Sequence, residues 1–229
     1  EGFLPFLIIS ALIGTLLLMQ PSTSALLIIM GAALAIYFIS GAKLSFILLT
    51  FLVGILALGV IIYLTPYRLN RVLAYLDPNI DPQGKSFHLR QSLTAIGSGG
   101  VLGVGYGNST LKKAGFLPEP IGDSIFAVFA EEFGFVGVIS LIAVFLLLLT
   151  RGVNIAKNAP DSFAKIFCIG ITSVIILQAL IHIAAVSGII PFTGVPLPFT
   201  SYGGSSLAIL LTAMGVIANI SKHTRKSLL

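Results

Sequence analysis

Between residues 65 and 124 the chain gathers four carboxylates, Asp77, Asp81, Glu119 and Asp123, and six cations, Arg68, Arg71, Lys85, Arg90, Lys112 and Lys113. Carboxylates set beside cations suit chemistry on a phosphate-bearing substrate. An ionised carboxylate can take a proton from an attacking hydroxyl. Lys and Arg can stabilise a departing pyrophosphate. The plainer reading is a solvated loop with surface ion pairs, the usual setting for charge in a connecting segment.

Asp123-Ser124 stands directly before a long apolar run. Either side chain there can cap a helix by accepting from free backbone N–H groups. A helix start also favours a negative charge, so a cap and a catalytic base are compatible. Asp123, Ala127 and Glu131 follow i, i+4 spacing, which puts them on one helix face and predicts that Asp123 and Glu131 point into one pocket. Glu131 and Glu132 lie within the apolar run, where a carboxylate is costly and usually meets a partner or a polar cavity. The alternative is that both reach back to the membrane interface. Gln178 and His182 are four apart in another apolar run and read as hydrogen-bonding groups between helices. His88, His182 and His223 fall on separate segments without metal-ligand spacing.

Gly97-Ser-Gly-Gly100 continues through Gly103, Gly105 and Gly107. No strand–helix unit surrounds it, so it is no dinucleotide fingerprint. Gly84-Lys85-Ser86 ends like a P-loop, but Asn79 occupies the place of the first glycine. The glycines read instead as a re-entrant or surface-lying loop in which backbones pack closely. Ser201-Tyr-Gly-Gly-Ser-Ser206 opens the last apolar run. Hydroxyls there cap a helix, and the free N–H groups also suit phosphate.

The elements that must position these residues follow from composition. Hydrophobic residues make up 56% of the chain and charged residues 9%, with mean hydropathy +1.06. A soluble domain carries roughly 25% charge. So little polar surface cannot cover a water-soluble protein, and lipid is the remaining solvent. The lone Cys168 excludes an intrachain disulfide. Apolar runs at 3–19, 25–39, 44–64, 125–149, 163–186 and 205–220 approach the length needed to cross a bilayer. The expected architecture is an all-α polytopic membrane protein of about six transmembrane helices, a single transmembrane domain over 1–229. A polar link at 151–162 separates the fourth and fifth spans. The Pro-rich stretch 191–198 cannot be helix. Lys43, then Arg151, Lys157 and Lys165, then Lys222, Arg225 and Lys226 fall on one side, which reads as the cytoplasmic side. Residues 65–124 become a large extracytoplasmic loop.

Three stretches are familiar as motifs. Asp77-Pro-Asn-Ile-Asp-Pro-Gln-Gly84 with Gln91-Ser-Leu-Thr-Ala-Ile-Gly-Ser-Gly-Gly100 is one. Leu117-Pro-Glu-Pro-Ile-Gly-Asp-Ser-Ile-Phe-Ala127, running on to Glu131-Glu-Phe-Gly-Phe135, is another. Gly188-Ile-Ile-Pro-Phe-Thr-Gly-Val-Pro-Leu-Pro-Phe-Thr-Ser-Tyr-Gly-Gly-Ser-Ser206 is the third. In this order and spacing the chain resembles the SEDS family of shape, elongation, division and sporulation proteins. The resemblance runs nearly the whole length of the chain. It implies a peptidoglycan glycosyltransferase that polymerises lipid II, an undecaprenyl-pyrophosphate-linked disaccharide pentapeptide, at the outer face of the bacterial cytoplasmic membrane. It also implies a class B penicillin-binding protein transpeptidase as partner, with other division or elongation proteins and membrane lipid, and no nucleic acid. Family members normally have further helices before these, so the chain corresponds to the later part.

Carried over by motif, the family's essential aspartate falls on Asp123, as the base that deprotonates the acceptor hydroxyl. Arg90, Lys112 and Lys113 would stabilise the pyrophosphate, and Gln91, Ser98, Glu119, Glu131, Ser201 and Ser205 complete the implied substrate-binding set. A divalent cation, Mg2+ or Mn2+, is implied as an aid, with no protein metal site and no organic cofactor. The chain also departs from the pattern. It has Gly122-Asp123-Ser124 where Thr-Asp-Phe is frequent, Gln20-Pro21-Ser22 where Gln-Pro-Asp is frequent, and His182 where Asn is common. Pro120-Ile-Gly-Asp123 is closer to the division type. The rival readings are a lipid II flippase, which needs a cavity across the bilayer, and a non-catalytic division scaffold.

Overall fold

The computed structural model describes residues 3–20, 23–77, 85–109 and 122–224, and every regular element among them is an α-helix. They are α1 (Phe3–Met19), α2 (Thr23–Ile39), α3 (Leu44–Leu64), α4 (Pro66–Leu76), α5 (Lys85–Ser98), α6 (Ile125–Lys157), α7 (Ser162–Val186) and α8 (Gly204–Lys222). Four of these, α3, α6, α7 and α8, are long and apolar enough to cross a membrane. The apolar α1 and α2 have 17 residues each, the short end of the spanning range. The protein is a multi-pass membrane protein. No residue of α3 is buried. Its Leu48, Leu52 and Leu56 are 58%, 55% and 62% exposed, a surface that suits lipid and not water.

One expectation needs correction. The polar link expected at 151–162 is mostly helix, because α6 runs on to Lys157. Arg151, Asn154 and Lys157 are all exposed there, so polar side chains do not stop the helix. The segment 65–124 contains α4 and α5. Neither is apolar enough for a span, so hydropathy passes over both. Pro66 sits at the first helical position of α4, where its missing N–H costs nothing.

The chain forms two compact units. One comprises Glu1–Ala57, Leu146–Leu177 and Ser205–Leu229; the other comprises Leu58–Phe145 and Gln178–Gly204. In the first, Ala156, Cys168, Ile169 and Ile217 form the core. Its helices approach through small residues: a Cβ on Gly152 would lie 2.3 Å from Thr172 Oγ1. Such contacts hold helices together where lipid removes the hydrophobic drive.

In the second unit, Ala95, Phe126, Ala127, Val128 and Val186 form the core, with Ile183 and Phe192 packed on it. Here α6 is broken at Gly134, which has φ 65° and ψ −164°. A break frees backbone groups that lipid cannot satisfy. Residues 99–105 supply the partners. Val104 and Gly105 N–H donate to the Glu131 and Glu132 carbonyls at 3.0 Å, and Phe135 and Val136 N–H donate to Gly100 and Val101 at 2.9 and 3.2 Å. The expected close packing of the glycine-rich segment is thus a backbone ladder against the broken helix.

Candidate active site

Asp123 and the segment 188–201 beside it lie within the second unit. Asp123 occupies the turn at 122–124 and is half-buried, whereas Ser124 is fully buried. The Ser124 carbonyl accepts from Ala127 and Val128 N–H at 3.0 and 3.2 Å, so the helix starts at Ser124. Asp123 therefore stands just outside the helix. Among the described residues no donor holds its carboxylate.

The wall beside Asp123 is the segment joining α7 to α8. Pro191, Pro196 and Pro198 keep it out of helix and remove three N–H donors. Side chains from elsewhere fasten it. Tyr75 donates its hydroxyl to the Gly188 and Ile189 carbonyls, each at 3.0 Å. His182 Nδ1 pairs with the Val195 carbonyl, and Gln178 Nε2 donates to Pro196 at 2.8 Å. Ser201 donates its hydroxyl to the Gly122 carbonyl at 3.0 Å and accepts from Leu197 N–H at 2.7 Å. The first of these Ser201 bonds ties the segment to the residue before Asp123. Between the anchors, Gly194 has φ 64°, and a Cβ added there would lie 3.0 Å from Asp123 Oδ2. Asp123 is thus an uncommitted carboxylate lying against bare backbone.

The other expected site residues divide. Ser201 is brought to the segment's junction with Gly122. Glu131 is fully buried and accepts the hydroxyl of buried Ser109, so it anchors the end of the glycine-rich segment. Arg90 and Ser98 are exposed on α5 and Gln91 is half-buried. Ser98 spends its hydroxyl on the Ala95 carbonyl at 2.8 Å. Ser205 is exposed in the first turn of α8, in the first unit. Lys112, Lys113 and Glu119 lie outside the described residues. Gln178 and His182 bond to loop carbonyls and not to another helix. Sequence reading missed Tyr75 and Gly194. One signal was available, since three prolines in eight residues leave carbonyls that need outside donors.

Residues 1–226 match the model of the FtsW/RodA/SpoVE family, described as cell cycle protein. The chain belongs to this family. It is 40% identical over 225 residues to Stage V sporulation protein E of Bacillus subtilis, covering 98% of this chain and 61% of that protein. It is 37% identical over 227 residues to the peptidoglycan glycosyltransferase MrdB of Escherichia coli K12, covering 97% and 59%. Against a probable peptidoglycan glycosyltransferase FtsW of Geobacter sp. strain M18 it is 38% identical, covering 98% and 61%. A solved structure of a peptidoglycan synthase complex that coordinates polymerization and crosslinking has a chain that superposes with TM-score 0.77 at 27% identity, covering 97% and 62%. The Rod shape determining protein RodA of Thermus thermophilus superposes with TM-score 0.63 at 25% identity, covering 97% and 56%. The chain spans about three fifths of the length of the curated relatives it matches.

Proposed function

We propose that this chain carries the catalytic part of a peptidoglycan glycosyltransferase that polymerises lipid II in division or cell-shape maintenance. The observation that carries the reading is the half-buried, uncommitted carboxylate of Asp123 beside Gly194. Two relatives are named for the activity. In the proposed step, Asp123 takes the proton from the acceptor sugar's 4-hydroxyl. That oxygen bonds to the donor's anomeric carbon. The bond from this carbon to the diphosphate oxygen breaks, and the electron pair leaves with undecaprenyl diphosphate. Attack opposite the leaving group inverts the anomeric configuration.

Among the described residues no three of His, Cys, Asp or Glu gather to hold a metal ion. Mg2+ or Mn2+ would come with the diphosphate, as Mg2+ commonly does with substrate phosphates.

The reading extends to setting and partner. The chain would sit in the cytoplasmic membrane with the Asp123 side outward, on the strength of its Lys and Arg distribution. A class B penicillin-binding transpeptidase is the proposed partner, supported by the superposed synthase complex that couples polymerization to crosslinking. A flippase reading would draw on the polar groups of the apolar runs, Glu131, Glu132, Gln178 and His182. Three of these are committed to Ser109, Pro196 and Val195. The test is glycan-strand synthesis from purified lipid II by the full-length protein. Asp123→Ala should abolish polymer while leaving membrane insertion intact. Unchanged polymerisation in that variant overturns the reading.

A further inference from the structure

A cleft in the second unit is lined by Arg71, Ala74, Tyr75, Ser86, Leu89 and Phe192. Its hydroxyls have given away their hydrogens. Ser86 donates to the Ala74 carbonyl at 2.9 Å, and Tyr75 donates to Gly188 and Ile189. Arg71 is the opposite case. One N–H of its guanidinium donates to the Tyr67 hydroxyl at 2.7 Å, and its Cζ lies 5.1 Å from that ring's centroid. Its Nε is buried without an acceptor, and no carboxylate pairs with it among the described residues. A guanidinium has five N–H donors in a fixed fork. A half-buried cation with an orphaned donor is costly unless something completes it. The cleft therefore presents unspent donors from one cation, and the complement is an acceptor-only anion.

Position narrows the anion. α4 begins at Pro66, two residues after the spanning helix α3 ends at Leu64. Arg71 thus follows the span by seven residues, on a helix that departs from it through the extended Thr65, which puts it outside the apolar run and near its end. Ala74, Leu89 and Phe192 make the remaining walls apolar. Phe192 is also two residues from Gly194, at most about 7 Å along the chain, and Gly194 lies against Asp123.

We propose that Arg71 and this cleft bind a lipid-borne phosphate. The nearness of Phe192 in sequence to Gly194, which lies against Asp123, favours the diphosphate of a polyprenyl-linked donor or product over a bilayer headgroup. This assignment rests on the proposed glycosyltransferase reading for its substrate, though the phosphate site can stand without it. Guanidinium–phosphate pairing is bidentate, so lysine is an incomplete replacement.

The test uses the full-length protein in a phosphate-free maltoside detergent, titrated separately with undecaprenyl diphosphate, undecaprenol and phosphatidylglycerol. Arg71→Ala should weaken undecaprenyl diphosphate binding about ten- to a hundredfold. Arg71→Lys should fall between, and undecaprenol binding should not change. An equal Arg71 dependence for phosphatidylglycerol, with tighter binding than undecaprenyl diphosphate, assigns the site to bilayer headgroups. Unchanged binding of both phosphate lipids in Arg71→Ala overturns the proposal. If Arg71→Ala does not elute as a single species, Arg71→Lys decides, and undiminished binding there overturns it. The two readings fail separately. Arg71-dependent binding without any polymerisation by the parent protein sinks the enzyme reading alone. Asp123-dependent polymerisation with Arg71-independent binding sinks this one alone.

Discussion

Asp123 lies against Gly194 so closely that a single added carbon would stand 3.0 Å from its Oδ2. Gly194 also has φ 64°, a backbone region that costs other residues roughly 1–2 kcal/mol. Glycine thus serves twice, by allowing the turn and by leaving room for the carboxylate. Gly194→Ala should displace the Asp123 side chain or the segment beside it. The expected outcome in the full-length protein is a kcat for glycan synthesis lowered roughly tenfold, with KM little changed, because a small displacement of a reacting group costs rate more than binding. Steady-state kinetics with lipid II checks this, and a variant with parental kcat contradicts it.

His182 and Gln178 hold the same segment, with unequal exposure at the carbonyls they serve. Val195 is buried and Pro196 is exposed. Nδ1 of His182 must carry the hydrogen, since a carbonyl only accepts. His182→Leu leaves the Val195 carbonyl buried and unpaired, a cost of about 1–3 kcal/mol. Gln178→Leu leaves a carbonyl that water can reach, so its effect should be smaller. His182→Asn keeps a donor and should lie nearer the parent than His182→Leu. Thermal unfolding in detergent ranks the three. A Gln178→Leu loss as large as that of His182→Leu would sink this account.

Sequence reading and structure agree where the physics is local. Lipid demands long apolar runs, and the six runs each became a helix. Asp123 was legible because its motif is contiguous and it stands at a helix start. Its contact with Gly194 was not, because the two residues are 71 positions apart in the sequence and only packing brings them together. Spacing put Asp123 and Glu131 on one face. The helix instead begins after Asp123, and Glu131 is claimed by Ser109, a partner from the glycine-rich segment. Helices α4 and α5 went unread because neither is apolar enough to register as a span. Arg71 was counted among six loop cations, and sequence alone could not separate a solvated cation from one set in a cleft.

The glycine-rich segment offers a sharper contrast, because two of its glycines two positions apart face opposite situations. A Cβ on Gly99 would lie 2.1 Å from the Ala130 carbonyl oxygen and 3.0 Å from Glu131 Cα. Both are backbone atoms, so nothing flexible can yield. A Cβ on Gly97, within α5, meets nothing within 4 Å. Gly99→Ala should therefore push the segment off the broken helix. That would open the ladder of Val104, Gly105, Phe135 and Val136 and expose backbone groups that cost several kcal/mol each in lipid. Gly97→Ala should be neutral or gain about 0.5 kcal/mol, as alanine does over glycine in a helix. Glu131 gives a second readout, since its Ser109 partner ends the same segment. Melting temperature and detergent-extracted yield should fall sharply for Gly99→Ala and stay level for Gly97→Ala. Equal behaviour of the two variants would mean that the ladder does not hold the break at Gly134.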